Sequence, residues 1–185
     1  MLTDLTTVKA DRLSPWYILD ETCQRQPDQR AIWSRAGGNL SFGELRTSVL
    51  RWAQWMLDEG IKPGDLVAMY LHNSAEFLII FFATMTIGAG PALINYNLEG
   101  KALMHCLGVA NTKLLVIDED PGCQQRIEGS RGEIEAFGTK IVTMDAALLQ
   151  NVASKTATVP ADELRNGMKP EFPYALIYTS GMSSQ

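Results

Sequence analysis

Hydroxyl side chains and a glycine follow an apolar run near position 178, and they are the groups best suited to chemistry. The apolar run, Ala175–Tyr178, predicts a strand, and Gly181 lets the backbone turn its N–H groups toward a common point. Backbone amides and hydroxyls arranged in this way bind phosphate. The residues alone leave two interpretations open, a phosphate-binding loop or an ordinary exit from a strand. The hydroxyl donors are Thr179, Ser180, Ser183 and Ser184.

Other nucleotide and nucleophile motifs are incomplete. Gly88 and Gly90 begin a dinucleotide-type pattern, but Leu93 stands in place of its third glycine and the pattern precedes its strand. No P-loop lysine motif occurs. The stretch Gly181–Gln185 lacks the closing glycine of a nucleophile elbow. The loop after Tyr178 is therefore the remaining candidate.

The two histidines and a run of three acidic residues are weaker candidates for a catalytic or metal-binding site. His72 and His105 are the only histidines, and His105 lies beside Cys106 without a second base or metal ligand in sequence reach. We interpret it as a structural or surface residue. The acids at 118–120 follow a predicted strand and precede Pro121, which indicates a solvated turn.

Composition limits the classes of function. The chain has 185 residues, of which 46% are hydrophobic, and a net charge of −5 without a basic cluster, so a nucleic-acid partner is not expected. The chain has three cysteines, an odd number, and no two of them form a Cys-x-x-Cys pair: Cys23, Cys106 and Cys123. Their spacing favours free thiols in a reducing compartment over a disulfide framework or a zinc site.

An uncharged stretch at 77–94 has 18 residues, the lower limit for a membrane span. Gly88, Gly90 and Pro91 divide it, which favours a buried helix followed by a buried strand.

Predicted helices and strands alternate along the chain. This order predicts an α/β fold with a mainly parallel, doubly wound sheet and flanking helices. Ligands of such sheets bind at the carboxyl ends of strands. The pattern predicts helices at 14–27, 41–60, 74–87 and 99–107, the last closed by Gly108, and strands at 31–34, 39–42, 66–70, 91–94, 113–118, 140–144 and 174–178. It predicts a weak helix or loop at 121–138 and an exposed connection at about 153–173.

Several segments in register resemble the adenylate-forming, AMP-binding superfamily of acyl-CoA synthetases. The match is strongest to the fatty-acid-transport-protein branch, the very-long-chain acyl-CoA synthetases. By this resemblance, residues 1–185 are the N-terminal portion of the AMP-binding domain, an incomplete part of the fold without the family's C-terminal domain. The segments that carry it are Phe42–Leu45, Gly60–Asp65, Asn73–Phe77, Ala92–Leu98, Leu103–Cys106 and Tyr178–Gly181.

The resemblance implies a reaction. In the full-length family, a carboxylic acid attacks the α-phosphate of ATP with Mg²⁺ to give an acyl-adenylate, and coenzyme A then displaces AMP. The fatty acid is the substrate, and ATP, Mg²⁺ and coenzyme A are the implied cofactors. The implied partial phosphate loop comprises Thr179, Ser180, Gly181, Met182, Ser183 and Ser184.

This sequence departs from the family after Gly181. Met182 replaces a hydroxyl residue, Ser184 stands for a glycine, and the family's Pro-Lys does not occur within the 185 residues. We therefore assign no catalytic or metal-binding residue and do not expect independent acyl-CoA synthesis. The alternatives are a non-catalytic nucleotide-binding or partner-binding remnant, which could pair with a full-length relative, and a truncated or mispredicted gene product. The resemblance favours a cytoplasmic or peripheral membrane location, at the endoplasmic reticulum, peroxisome or lipid droplet.

Overall fold

The structure is a computed structural model that describes residues 14–34, 38–166, 168 and 175–178. Helices and strands alternate as the sequence predicts. The helices are α1 (Trp16–Arg25), α2 (Phe42–Asp58), α3 (Ala75–Thr86), α4 (Gly100–Ala110), α5 (Pro121–Glu128), α6 (Arg131–Ala136) and α7 (Ala146–Ala153), followed by a short 3₁₀ helix (Asp162–Arg165). The strands are β1 (Arg30–Ser34), β2 (Gly38–Ser41), β3 (Leu66–Tyr70), β4 (Gly90–Leu93), β5 (Leu114–Asp118), β6 (Lys140–Met144) and β7 (Leu176–Ile177).

Five strands form a parallel sheet in the order β6-β5-β3-β4-β7. Helical crossovers between parallel strands place helices on both faces of the sheet. The two remaining strands, β1 and β2, form a separate antiparallel pair. This arrangement confirms the predicted α/β class and its parallel, doubly wound sheet.

Alternation along the central strands divides the core into two layers. Val67 and Met69 of β3 join the layer under α1, α2, α3 and α7, while Ala68 and Tyr70 join the layer under α4, α5 and α6. Successive side chains of a strand point to opposite faces, so a strand covered on both faces is apolar throughout. This explains why β3 and β5 are continuous hydrophobic runs.

Local signals fix the long helices. Ser41 and Glu44 form a complete capping box at the start of α2, in which the Ser41 side chain accepts from Glu44 N and the Glu44 carboxylate accepts from Ser41 N. Ser74 caps α3 by accepting from Phe77 N. The uncharged stretch divides into α3 and β4, as predicted. Among the described residues, no helix is both long and apolar enough to cross a membrane.

The prediction that Gly108 closes α4 is wrong. The helix continues to Ala110, and Asn111 ends it in the left-handed conformation with φ of 46°. Asparagine tolerates that conformation at a helix end, so the stop signal lies three residues later than the glycine. The weakly patterned segment at 121–138 contains two short helices, α5 and α6, separated by a turn.

Most of the described residues in the connection after α7 are exposed, but three are buried. Within its described residues, Pro160, Arg165 and Met168 are buried. The reason is tertiary, because Arg165 reaches the end of α3, a contact that a polar, proline-containing sequence does not reveal.

Candidate active-site edge

The carboxyl ends of β3, β4, β5 and β7 meet at one edge of the sheet. The register pairs Tyr70 with Ile117 across β3 and β5, and Leu93 with Ile177 across β4 and β7. Because these strands are parallel, the residues that directly follow them also lie at this edge. It is the edge where ligands bind in open α/β sheets.

Tyr178 anchors the end of β7. Its hydroxyl donates a 2.6 Å hydrogen bond to the carbonyl oxygen of Cys106 in α4. Burial, with a smaller contribution from Cys106, raises the pKa of Tyr178 to about 12, so the phenol remains protonated at neutral pH. The last described residue of this region is therefore fixed to the neighbouring helix.

The predicted phosphate-loop residues lie outside the described residues. They are Thr179, Ser180, Gly181, Met182, Ser183 and Ser184. The structure describes the strand that precedes them, which ends at the carboxyl edge of the sheet.

A histidine–aspartate pair occupies the middle of this edge. His72 follows β3, and its Nδ1 lies 3.1 Å from Oδ2 of Asp118 at the end of β5. The backbone N–H of His72 donates to the same oxygen over 3.2 Å, and that of Asp120 donates to Oδ1 over 3.0 Å. Burial alone would raise the pKa of Asp118, but these hydrogen bonds hold it below its usual value.

The interpretation of 118–120 as a solvated turn is therefore wrong for Asp118, whose side chain is only 16% exposed. Asp118 accepts hydrogen bonds from both strand ends, and Oδ1 of Asp120 caps α5 by accepting from Cys123 N over 3.0 Å. Backbone amides at the strand end and helix start need acceptors, and these carboxylates supply them.

A cluster of side chains around Arg126 lies next to the pair. Nε of Arg126 donates to the Tyr70 hydroxyl over 3.0 Å and to the Tyr96 carbonyl over 2.9 Å. Its Nη2 lies 3.4 Å from Sγ of Cys123. The Tyr96 ring packs on the His72 ring at a centroid distance of 4.1 Å.

Burial sets the ionisation of the groups in this cluster. It raises the pKa of the Cys123 thiol and that of the Tyr70 phenol, although Arg126 opposes both shifts. Both groups are therefore neutral at pH 7. The cluster has a cationic guanidinium, an anionic carboxylate and two neutral proton donors, a set suited to binding and orienting a ligand.

Sequence reasoning did not predict His72, Asp118, Cys123 or Arg126 as site residues. The signal that could have found the first two is their position directly after adjacent strands. Cys123 and Arg126 carry a weaker signal, because they lie on α5, a segment predicted only as weak helix or loop.

Two clefts open on opposite edges of the sheet. One, of about 680 Å³, lies beside Arg126 at the carboxyl edge and is lined by Asn97, Glu99, Gly100, Gly122, Gln125, Arg126, Gly129 and Ser130. The other, of about 430 Å³, lies at the amino edge and is lined by Glu59, Gly60, Ile61, Lys62, Asp65, Lys113, Leu114 and Lys140. Only the first lies at the edge where such sheets bind ligands.

The chain belongs to the AMP-binding enzyme family. The profile of that family matches residues 19–182, most of the chain. Its parallel sheet with flanking helices is the fold of the N-terminal domains of adenylate-forming enzymes.

Two curated relatives illustrate the match. The chain is 30% identical over 175 residues to a very long-chain fatty acid transport protein of Cochliobolus heterostrophus, covering 94% of this chain and 26% of the relative. It is 29% identical over 177 residues to long-chain fatty acid transport protein 1 of Rattus norvegicus, covering 89% and 26%. The chain thus spans about a quarter of the length of these relatives.

Solved structures share the fold. The N-terminal domain of FACL13 from Mycobacterium tuberculosis, solved with an inhibitor, superposes with a TM-score of 0.80 at 21% identity, covering 91% of this chain and 42% of that one. ATP-bound MatB from Rhodopseudomonas palustris superposes with a TM-score of 0.76 at 22% identity, covering 91% and 32%.

Proposed function

We propose that this chain forms the N-terminal portion of the AMP-binding domain of an ATP-dependent long-chain or very-long-chain fatty acyl-CoA synthetase. The observation that carries the proposal is the position of β7. It lies parallel to β4 and ends at Ile177, directly before Tyr178, at the carboxyl edge of the sheet, where ligands of open α/β sheets bind. The Thr-Ser-Gly sequence that follows resembles the start of the family's phosphate loop. The relatives named as fatty acid transport proteins support the fatty-acid substrate.

In this proposal, residues 179–184 contribute the first part of a loop that binds the ATP phosphates. Hydroxyl and backbone donors bind phosphate oxygens, and Mg²⁺ neutralises their charge in the complete enzyme. The Pro-Lys that follows in the family does not occur within these 185 residues. We therefore expect the 185-residue polypeptide alone to form no acyl-CoA.

Turnover assays test this directly. The purified 185-residue polypeptide is incubated with ATP, Mg²⁺, coenzyme A and a long-chain fatty acid, beside a heat-killed control. A chimera joins residues 1–181 of this chain to the corresponding remainder of the Cochliobolus heterostrophus relative. We expect no turnover from the polypeptide and ATP-dependent acyl-CoA formation by the chimera. A folded chimera that forms no acyl-adenylate would contradict the proposal.

A pair of hydroxyl substitutions in the chimera tests the loop itself. Ser180→Ala is expected to raise the KM for ATP or lower kcat by about tenfold or more, as removal of one donor to developing charge does. Thr158→Val serves as the matched control, because it removes an exposed hydroxyl outside the proposed loop. Equal activity of the two variants would contradict a phosphate-binding role for Ser180.

Binding to a partner is the second candidate, favoured by the open edge of β7. Within the described part of the chain, β7 pairs with β4 alone, and Ile177 is 68% exposed. An edge strand with an exposed apolar side chain is a template for another strand. Light scattering of the polypeptide alone, and again with a full-length relative, tests this. A monomer that forms no complex with the relative would contradict it.

A further inference from the structure

Three side chains with metal-binding atoms converge at the carboxyl edge of the sheet. The ligand atoms of His72, Asp120 and Cys123 all lie within 4.8 Å of one another. They come from two separate segments, the end of β3 and the start of α5, so the tertiary fold creates the group. We propose that these three side chains form a zinc site, one that is independent of the proposed synthetase function.

The donor set fits zinc. Imidazole nitrogen, carboxylate oxygen and thiolate sulfur are its usual ligands, and zinc sites with three protein ligands keep a fourth position for water. With bond lengths of about 2.0–2.3 Å in a tetrahedral arrangement, neighbouring ligand atoms are about 3.6 Å apart. Because the ligand atoms lie within 4.8 Å of one another, zinc binding requires each pair to approach by at most about 1.2 Å.

Asp118 prepares the histidine for this role. Its Oδ2 lies 3.1 Å from Nδ1 of His72 and also accepts from the His72 backbone. A carboxylate that accepts from one ring nitrogen fixes the tautomer and leaves the other nitrogen, Nε2, with a lone pair for the metal. Asp118 is thus a positioning residue.

The start of α5 holds the other two ligands. Asp120 is the N-cap, and its Oδ1 accepts from the backbone N–H of Cys123. This bond keeps the carboxylate and the thiol at the same end of the helix and leaves Oδ2 for the metal. Cys123 is buried, and Arg126 lies 3.4 Å from its sulfur, so metal binding must displace the thiol proton and accommodate a nearby cation.

Cobalt spectroscopy tests the site in the 185-residue protein. Co²⁺ is expected to give the near-ultraviolet charge-transfer absorption of a cobalt–thiolate bond, and one equivalent of Zn²⁺ is expected to remove it. His72→Ala and Cys123→Ala are expected to abolish the band. His105→Ala and Cys106→Ala substitute a histidine and a buried cysteine of α4 and are expected to retain it.

Zinc titration calorimetry gives the second readout. Asp118→Asn is expected to weaken zinc affinity by about 10- to 100-fold, the usual effect of removing a partner of a ligating histidine. Circular dichroism of each variant establishes that it is folded. A band that survives in folded His72→Ala, or equal loss in the α4 controls, would overturn the site. Absence of any cobalt–thiolate band in the folded unsubstituted protein would also overturn it.

Discussion

The guanidinium of Arg165 donates a hydrogen bond to the carbonyl oxygen of Thr86, 79 residues earlier in the chain. The same side chain donates to the carbonyl of Pro160 over 3.2 Å and to Asp162 over 2.5 Å. Arg165 is only 1% exposed. The bond to Thr86 holds the connection after α7 against the end of α3, and the other two stabilise the connection itself.

Loss of this guanidinium should destabilise the fold. Arg165→Met keeps much of the side-chain volume but leaves the buried carbonyls of Thr86 and Pro160 without their donor. We expect the free energy of unfolding to fall by about 3 kcal/mol, measured by urea denaturation. Arg25→Met is the matched control, since its 3.9 Å pair with Glu21 is exposed and contributes about 1 kcal/mol or less. Equal losses in the two variants would contradict the role of Arg165.

Gly88 should tolerate no side chain. Its φ is +75°, and a Cβ added there would lie 2.1 Å from the carbonyl oxygen of Leu164. Gly88→Ala is therefore expected to lower the free energy of unfolding by about 2 kcal/mol or more.

Gly108 provides the matched glycine control. It lies within α4, and an added Cβ would meet nothing within 4 Å. Gly108→Ala is expected to be neutral or to stabilise the protein by up to about 1 kcal/mol. Thermal and urea unfolding of both variants test whether Gly88→Ala destabilises the protein while Gly108→Ala does not. A Gly88→Ala variant as stable as the unsubstituted protein would show that the 3₁₀ helix does not pack on Gly88.

Stability should depend on the ionisation of Asp118 in acid. The pKa of its carboxyl is below the usual value in the folded protein, so folding favours the charged form. Its contribution is present above the unfolded pKa of about 3.9 and is lost as the pH falls through the lower folded value. Asp118→Asn should therefore be less stable than the unsubstituted protein at pH 7, and the difference should shrink below about pH 4.

Urea denaturation between pH 7 and pH 2.5 measures this difference. Glu119→Gln, at the neighbouring exposed position, is the control and should give a small difference across the range. A constant gap between the Asp118→Asn variant and the unsubstituted protein at all pH values would contradict the assignment.

Tyr178 should stabilise the end of β7 through its hydroxyl. Tyr178→Phe removes the 2.6 Å bond to the Cys106 carbonyl and should cost about 1 kcal/mol at pH 7. Because the folded pKa is about 12, above the unfolded value of about 10, the contribution is complete below pH 10 and is lost as the pH approaches 12.

Unfolding measurements at neutral and alkaline pH check this pattern. Tyr96→Phe removes a different tyrosine hydroxyl and leaves the Cys106 carbonyl bonded to Tyr178. An unchanged alkaline dependence in Tyr178→Phe would show that other groups cause it.

Sequence determined the elements whose signals are local. The helix α2, which begins at the capping box of Ser41 and Glu44, and the apolar strand β3 need only neighbours along the chain, and both elements were predicted correctly. The alternation of helices and strands also fixed the fold class, because parallel strands require crossovers and bury both faces. The resemblance to the AMP-binding family was also recognised from the sequence, because its motifs occur in the same order and spacing.

Only the tertiary structure brought distant residues together. His72 and Asp118 are 46 positions apart and meet because β3 and β5 are neighbours in the sheet. Cysteine spacing alone disfavoured a zinc site. It could not reveal His72, which follows β3 and lies near Cys123 of α5 only in the folded chain. The sequence likewise placed Arg165 in an exposed connection, whereas in the structure its guanidinium donates to the Thr86 carbonyl at the end of α3. Local sequence specifies the conformation of a segment, but strand order specifies which segments meet, and the chemistry of this sheet edge depends on that meeting.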